Sequence, residues 1–408
     1  MMRIFVDGTT EMAAIGTHAI TVATLKLLAE IFPDAEFTIL SIYPEVDRRR
    51  YGRFGFNLNI VRRARGDAGA AWALLRQCFR TDLVIGVYGD AFVASTNLAF
   101  LEFVAKMLLV TLPRKPFVVF PSSMGPFSGW RRPLARWVLT RAKLIAAREE
   151  TTYGYLAETG IDECRIFLIP DMAFACPLAP SETVRSIVEK EGIDVAGRPL
   201  ICIHVSQPLS FYSSRYLTGG QSYNQLIAEA ADYLVTNLNG NVILVPYFLW
   251  PPDVSNRWGL AAKVGGGEDD ISAIKEVYGR VQHKDRIVPI ENNYDAIELY
   301  GIIGQCDLFI GGRLHANIAA ISMCVPTISI DFRYKTPAVM KMTGLEKYYC
   351  DLRTVTFSEL INKVDDLWMN RESIRQMLKS KVEEFRASIY SFGESLRGLL
   401  EPSSKIHS

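Results

Sequence analysis

Neither sign of charge prevails in this sequence: 45 Lys and Arg stand against 44 Asp and Glu, for a formal charge of +1. Without a basic excess the chain is not a general nucleic-acid binder, although a balanced total leaves room for a local basic surface. Paired cysteines are also missing. The seven (Cys78, Cys164, Cys176, Cys202, Cys306, Cys324 and Cys350) are scattered without CxxC spacing, several of them inside apolar runs such as Leu200-Ile201-Cys202-Ile203. That usage excludes a disulfide framework, gives a zinc site almost no support and fits buried, reduced thiols in a reducing compartment. No apolar run reaches the roughly 20 residues that cross a bilayer. The nearest, residues 98–112, carries Glu102 and Lys106 and is expected to form a buried helix. The opening Met1-Met2-Arg3-Ile4-Phe5-Val6-Asp7 passes straight into a strand pattern, so the expectation is no cleavable signal and a cytoplasmic protein.

What is present is a regular alternation. Arg3–Asp7, Glu36–Ile42, Asp82–Gly86, Pro116–Pro121, Lys143–Ala147 and Arg165–Ile169 read as short buried strands. Stretches of helical spacing, such as Ala19–Ile31 and Arg131–Arg141, lie between them. Buried strands alternating with helices predict a mostly parallel sheet covered on both faces. After a pause at 177–198, which opens with Pro177 and Pro180, the pattern restarts with Pro199–Val205, Asn241–Val245, Asp285–Pro289, Asp307–Gly311 and Val325–Asp331. The chain of 408 residues therefore predicts an α/β protein of two Rossmann-like domains facing a cleft: 1–180, 181–370 and a helical tail over 371–408. Two long segments, Ser206–Gly220 and Pro246–Asp270, read as loops, the second carrying Phe248-Leu249-Trp250 and Gly265-Gly266-Gly267.

The most informative stretch is Asp307-Leu308-Phe309-Ile310-Gly311-Gly312-Arg313-Leu314-His315-Ala316-Asn317. A strand ends in two glycines and a helix begins at once, with Leu314, Ile318 and Ile321 on one buried face. The glycines are expected to let a ligand approach the backbone, and the free N–H groups of the helix N-terminus make an anion site. Arg313 and His315 are two apart and can converge only on something near that end of the helix axis. The next strand ends at Asp331, and Arg333 and Lys335 should bring more positive charge to the same mouth. In the first half, Gly125-Pro126-Phe127, Arg148-Glu149 and Pro170-Asp171 each follow a strand and are expected to face the cleft. The opposing reading is capping and loop closure for these, and for the helix a carboxylate partner for Arg313 with a core role for His315.

The order of these markers resembles the polysaccharide pyruvyl transferase family. The carriers are Gly311-Gly312-Arg313-Leu314-His315, Val325-Pro326, Tyr334-Lys335 and Gly344-Leu345, preceded by Gly125-Pro126-Phe127, Arg148-Glu149, Pro170-Asp171 and the acidic Glu268-Asp269-Asp270. The resemblance implies a glycosyltransferase B-like architecture and transfer of pyruvate from phosphoenolpyruvate onto two hydroxyls of a sugar as a ketal. It implies no metal and no cofactor beyond phosphoenolpyruvate as co-substrate, with a saccharide acceptor, free or lipid-linked. Arg313 and His315 would be catalytic, with Asp171, Asp90 and Glu149 as candidates for the base; Gly311, Gly312, Arg333, Lys335, Gly125, Arg148, Gly16, His18 and Asp90 would contact substrates. The chain departs from the family in Ile15-Gly16-Thr17-His18-Ala19, where Thr17 replaces an acid, and in a thinned Gly86-Val87-Tyr88-Gly89-Asp90. His18 or Asp90 could take over that acid's role. The competing readings are a sugar-nucleotide glycosyltransferase of the same plan and a non-catalytic saccharide-binding relative. Residues 130–148, with six basic and no acidic side chains and with Trp130 and Trp137, are either a solvated face or a peripheral contact with anionic lipid at the inner face of the membrane.

Overall fold

The apolar runs pair into two wholly parallel sheets. The computed structural model describes residues 1–9, 14–63, 67–90, 96–216, 222–250, 269–333 and 335–400. The first sheet holds β1 (Arg3–Asp7), β2 (Glu36–Ser41), β3 (Leu58–Arg62), β4 (Leu83–Gly86), β5 (Phe117–Ser122), β6 (Leu144–Ala147) and β7 (Ile166–Leu168), in the order β3-β2-β1-β4-β5-β6-β7. The second holds β8 (Leu200–His204), β9 (Asn241–Val245), β10 (Ile287–Pro289), β11 (Leu308–Gly311), β12 (Thr327–Asp331) and β13 (Tyr349–Asp351), in the order β10-β9-β8-β11-β12-β13. Strands such as β4, β5, β8 and β9 are buried along their whole length, as a sheet covered on both faces requires. In each sheet the chain runs outward one way and then restarts beside its first strand. The order therefore reverses between β1 and β4, and between β8 and β11. Ligands of open parallel sheets bind outside the carboxyl ends of the strands at such reversals.

The chain divides into two compact units: Met1–Glu11, Thr17–Ala175 and Glu384–Ser408 form one, Met12–Gly16 and Cys176–Glu383 the other. Of the expected helical tail, the described part is one helix, Arg371–Leu400, which is not a separate segment but is divided between the two units at Glu383 and Glu384. Its Phe392 meets Phe120 and Phe167, and its Phe385 meets Phe174, so the last turns close the core of the first unit.

Three readings need correction. Ser206–Gly220 is not a loop where it is described, because Gln207–Tyr216 is a helix. Its Ser210 and Ser213 are buried and hydrogen-bonded to the start of the helix Tyr223–Asn237, so tertiary partners override a weak local preference. The helix Asn97–Thr111 buries Phe100, Val104, Met107 and Val110 but leaves Leu98 and Leu101 exposed, so it is half-buried. Cys164 is exposed and Cys324 half-buried, while the other five cysteines are buried. Residues 251–268, with the glycine run and Glu268, and Tyr334 lie outside the described residues. Among the described residues no helix is long and apolar enough to cross a membrane.

Candidate functional site

In the second unit the strand order reverses beside His204, the last residue of β8, and the junction after β11. The Gly312 N–H donates to His204 Nδ1 at 3.0 Å. An accepting Nδ1 carries a lone pair, so the neutral ring bears its proton on Nε2, 3.5 Å from Asp270 Oδ2. Burial pushes this imidazole below its ordinary value, against the pull of Asp270.

Asp270 organises the surroundings. It is the first residue of the helix Asp270–Arg280, is fully buried, and accepts from the backbone N–H groups of Gln207 (2.9 Å), Tyr247 (2.9 Å) and Phe248 (2.7 Å). Arg313 Nη2 adds a fourth donor at 3.0 Å. Burial alone would raise this carboxyl; Arg313 and His204 outweigh it and hold it well below the usual carboxylate range.

Arg313 sits in extended backbone just before the helix Leu314–Ser322, its carbonyl accepting from Asn317 N–H at 3.0 Å. Its guanidinium lies 5.3 Å from the Phe248 ring centroid, and its Nε is buried without a hydrogen-bond partner among the described residues. The carboxylate partner offered as the opposing reading is therefore present, and it leaves Arg313 donor capacity in hand. His315, half-buried in the first helical turn, lies against Gly16, where an added Cβ would stand 2.5 Å from the imidazole Cγ. Ile15 N–H donates to the Tyr247 carbonyl at 3.3 Å and Ala14 bridges Phe248. Arg313 and His315 thus reach different partners, both tied to the Tyr247–Phe248 segment.

Two expectations for this junction change. The space that side chains at Gly311 and Gly312 would take is filled by Asn317, and by Leu209 and Tyr223. The glycines serve close packing, and the Gly312 N–H is spent on His204, so neither opens the backbone to a ligand. Arg333 does come to the end of β12, but it makes a two-pronged pair with Asp331, Nε to Oδ1 and Nη2 to Oδ2, both 2.9 Å. Each of the two arginines is matched by a buried aspartate, so surplus positive charge is smaller than the sequence suggested. Lys335, half-buried, opens the helix Lys335–Met342.

In the first unit, residues from four strand ends meet. Arg148, after β6, is 1% exposed and donates to Asp171 Oδ2 at 2.7 Å, Asp90 Oδ1 at 3.1 Å and Ser123 Oγ at 2.6 Å. Burial lowers its affinity for its proton, but Asp171, Asp90 and Glu149 more than restore it. Asp171 is equally buried, and its other oxygen accepts the Ala173 N–H at 2.9 Å. It is held inside an ion network, so any influence on a reaction would run through Arg148, not through a proton taken from substrate. Gly125, with φ of +88°, is required where Tyr155 fills the Cβ position. His18 is buried, its ring 5.3 Å from that of Tyr51, whereas Asp90 is exposed. A cavity of about 590 Å³, which no sequence feature indicated, opens between the helices Asp67–Arg80 and Asn97–Thr111 above Asp7 and Gly8.

Residues 15–333 match the family model for polysaccharide pyruvyl transferase. This chain belongs to that family. The amylovoran biosynthesis protein AmsJ of Erwinia amylovora is 24% identical over 280 residues, 68% of this chain and 64% of AmsJ. The chain thus spans a little under two thirds of that relative's length. In fold it is similar to the UDP-GlcNAc 2-epimerase of Neisseria meningitidis, solved with UDP-GlcNAc (TM-score 0.62, 12% identity, 98% of this chain and 100% of that one). It is also similar to the ADP-heptose heptosyltransferase II of E. coli (TM-score 0.50, 13% identity, 91% and 100%). The architecture is glycosyltransferase B-like. The family match encloses Gly16, Arg148, Asp171, His204, Asp270, Arg313 and His315, and ends at Arg333, so Lys335 lies beyond it. His204 and Asp270 escaped the sequence reading as site residues. His204 ends a continuous apolar run, and Asp270 was only part of an acidic cluster before a helix.

Proposed function

We propose that this chain transfers the pyruvyl group of phosphoenolpyruvate to a saccharide. The observation that carries the reading is the placement of Arg313 and His315 at a helix N-terminus beside the β8–β11 reversal, inside the stretch matched to the family. Phosphoenolpyruvate carries a phosphate and a carboxylate. Arg313, aimed by Asp270, presents a planar fork to one of them, with the first-turn amides, Arg333 and Lys335 in support. His315 delivers a proton to the methylene carbon, making it a methyl group, while a sugar hydroxyl adds to the adjoining carbon. The C–O bond to phosphate breaks and inorganic phosphate leaves. A second hydroxyl then closes the ketal; of the two hydroxyl protons, one restores His315 and the other leaves on the phosphate. AmsJ, an amylovoran biosynthesis protein, supports an acceptor from exopolysaccharide assembly, free or lipid-linked.

The test compares ligands by thermal shift. Phosphoenolpyruvate should raise the melting temperature of the native chain and not that of Arg313→Ala, while UDP-sugars leave both unchanged. Stabilisation by a UDP-sugar alone would transfer the site to a nucleotide-sugar enzyme. His315→Ala should keep the fold and lose about 100- to 10,000-fold in phosphate release; near-native turnover would remove His315 from the chemistry.

A further inference from the structure

Three helices of the first unit pack side by side: Asp67–Arg80 against Asn97–Thr111, and the latter against Arg131–Leu139. Their inner faces are core. Their outer faces, with Trp130 just ahead of the third helix, expose large apolar side chains: Trp72 (67%), Phe79 (57%), Leu98 (67%), Leu101 (44%), Trp130 (47%) and Trp137 (47%). Thirteen large hydrophobics are exposed among the described residues and these are six of them, too many on three neighbouring helices for random scatter.

The charge around them is predominantly positive. Phe103 to Arg148 contains nine basic and no acidic side chains. Arg148 is buried in its network and Lys106 pairs with Asp7 at 2.9 Å, which leaves seven for the surface. Arg76 and Arg80 flank Phe79 on the first helix; the nearby acids are Asp67, which opens that helix, Glu102, exposed on the second, and exposed Glu158, whose carbonyl accepts from Arg132. Aromatic and basic groups interleave. The Arg141 guanidinium stands 4.2 Å from the Trp137 ring centroid, and Trp130 meets Phe100 edge-on at 5.5 Å with Arg131 over the Phe100 ring at 5.3 Å.

We propose that this three-helix face docks on the surface of an anionic phospholipid bilayer. Indole rings and aliphatic side chains enter the boundary between headgroups and acyl chains, while arginines lie along it and meet the phosphates. A second copy of the chain is a poor occupant, since a two-fold contact would set Arg136 and Arg141 against positive charge. Nucleic acid would leave Leu98 and Leu101 without a purpose. The chain carries only +1 overall, so attraction to anionic lipid has to come from local basic surface, which this patch offers together with exposed apolar side chains. This inference is independent of the proposed chemistry.

The experiment is flotation of the full chain with phosphatidylcholine vesicles, and with vesicles that also contain phosphatidylglycerol. Binding should require phosphatidylglycerol, weaken as salt rises, and fall about tenfold or more in Arg136→Glu/Arg141→Glu. Trp72→Ser/Trp137→Ser should bind several-fold more weakly. In the native chain, brominated lipid should quench tryptophan fluorescence, a readout that holds even where a variant fails to fold. Binding that ignores phosphatidylglycerol, absence of quenching, or a patch that instead mediates dimers or captures DNA would overturn the proposal.

Discussion

Arg313 reaches its site already half committed. Asp270 takes one Nη2 donor and fixes the plane of the guanidinium, while Nε stays buried and uncommitted among the described residues. This is an aimed group, not a free cation, and a ligand would complete it. His204 stands behind the arrangement as a neutral ring. Its unfolded counterpart takes a proton near pH 6.5, whereas burial keeps the native ring neutral. The unfolded state therefore binds more protons, and stability should fall as pH drops below about 6.5. Urea midpoints measured across that range should show the decline, flattened in His204→Gln; an unchanged slope would mean the ring titrates freely when folded. Arg313 and His315 were legible because Gly-Gly-Arg-Leu-His joins a strand to a helix without a linker. Asp270 and His204 were not, since their meaning comes from β8, β9 and the helix Asp270–Arg280 converging across more than 60 residues of sequence.

At the level of elements, the carboxyl ends of β4, β5, β6 and β7 are drawn together by one guanidinium. Removing Arg148 would leave Asp171 and Glu149 buried without their cation, a loss of about 3–5 kcal/mol. Arg148→Ala should accordingly lower the denaturation midpoint sharply, and Arg148→Met/Asp171→Leu should regain much of it. A small effect in the single variant would show that water reaches the network. Most strands were readable to within two residues, because buried parallel strands are continuous apolar runs. β3 and β13 were not readable. β3 is an edge strand with Asn59 and Arg62 exposed, and β13 has three residues, too few for a period to show. The helix Gln207–Tyr216 was hidden for the opposite reason: its serines suit turns until Tyr223 and Asn224 bond to them.

For the molecule as a whole, continuity of sequence and continuity of structure part company. The first unit takes in Glu384–Ser408, beyond the entire second unit. Ile389, Phe392 and Leu396 from that segment are each no more than 1% exposed. Phe392→Ala should cost about 3–5 kcal/mol, and a stop after Glu383 should leave the first unit unable to hold its native state, given margins of about 5–15 kcal/mol. Proteolysis of the first unit at unchanged resistance in that truncated chain would contradict this. The two-unit plan was legible from the pause near residue 180, but the shared helix was not, because an amphipathic stripe does not say which core it covers. One outcome concerns synthesis. A ribosome working from the N-terminus finishes the second unit's strands before the closing turns of the first exist, so the earliest residues made must wait, incompletely packed and open to chaperones, for nearly the latest.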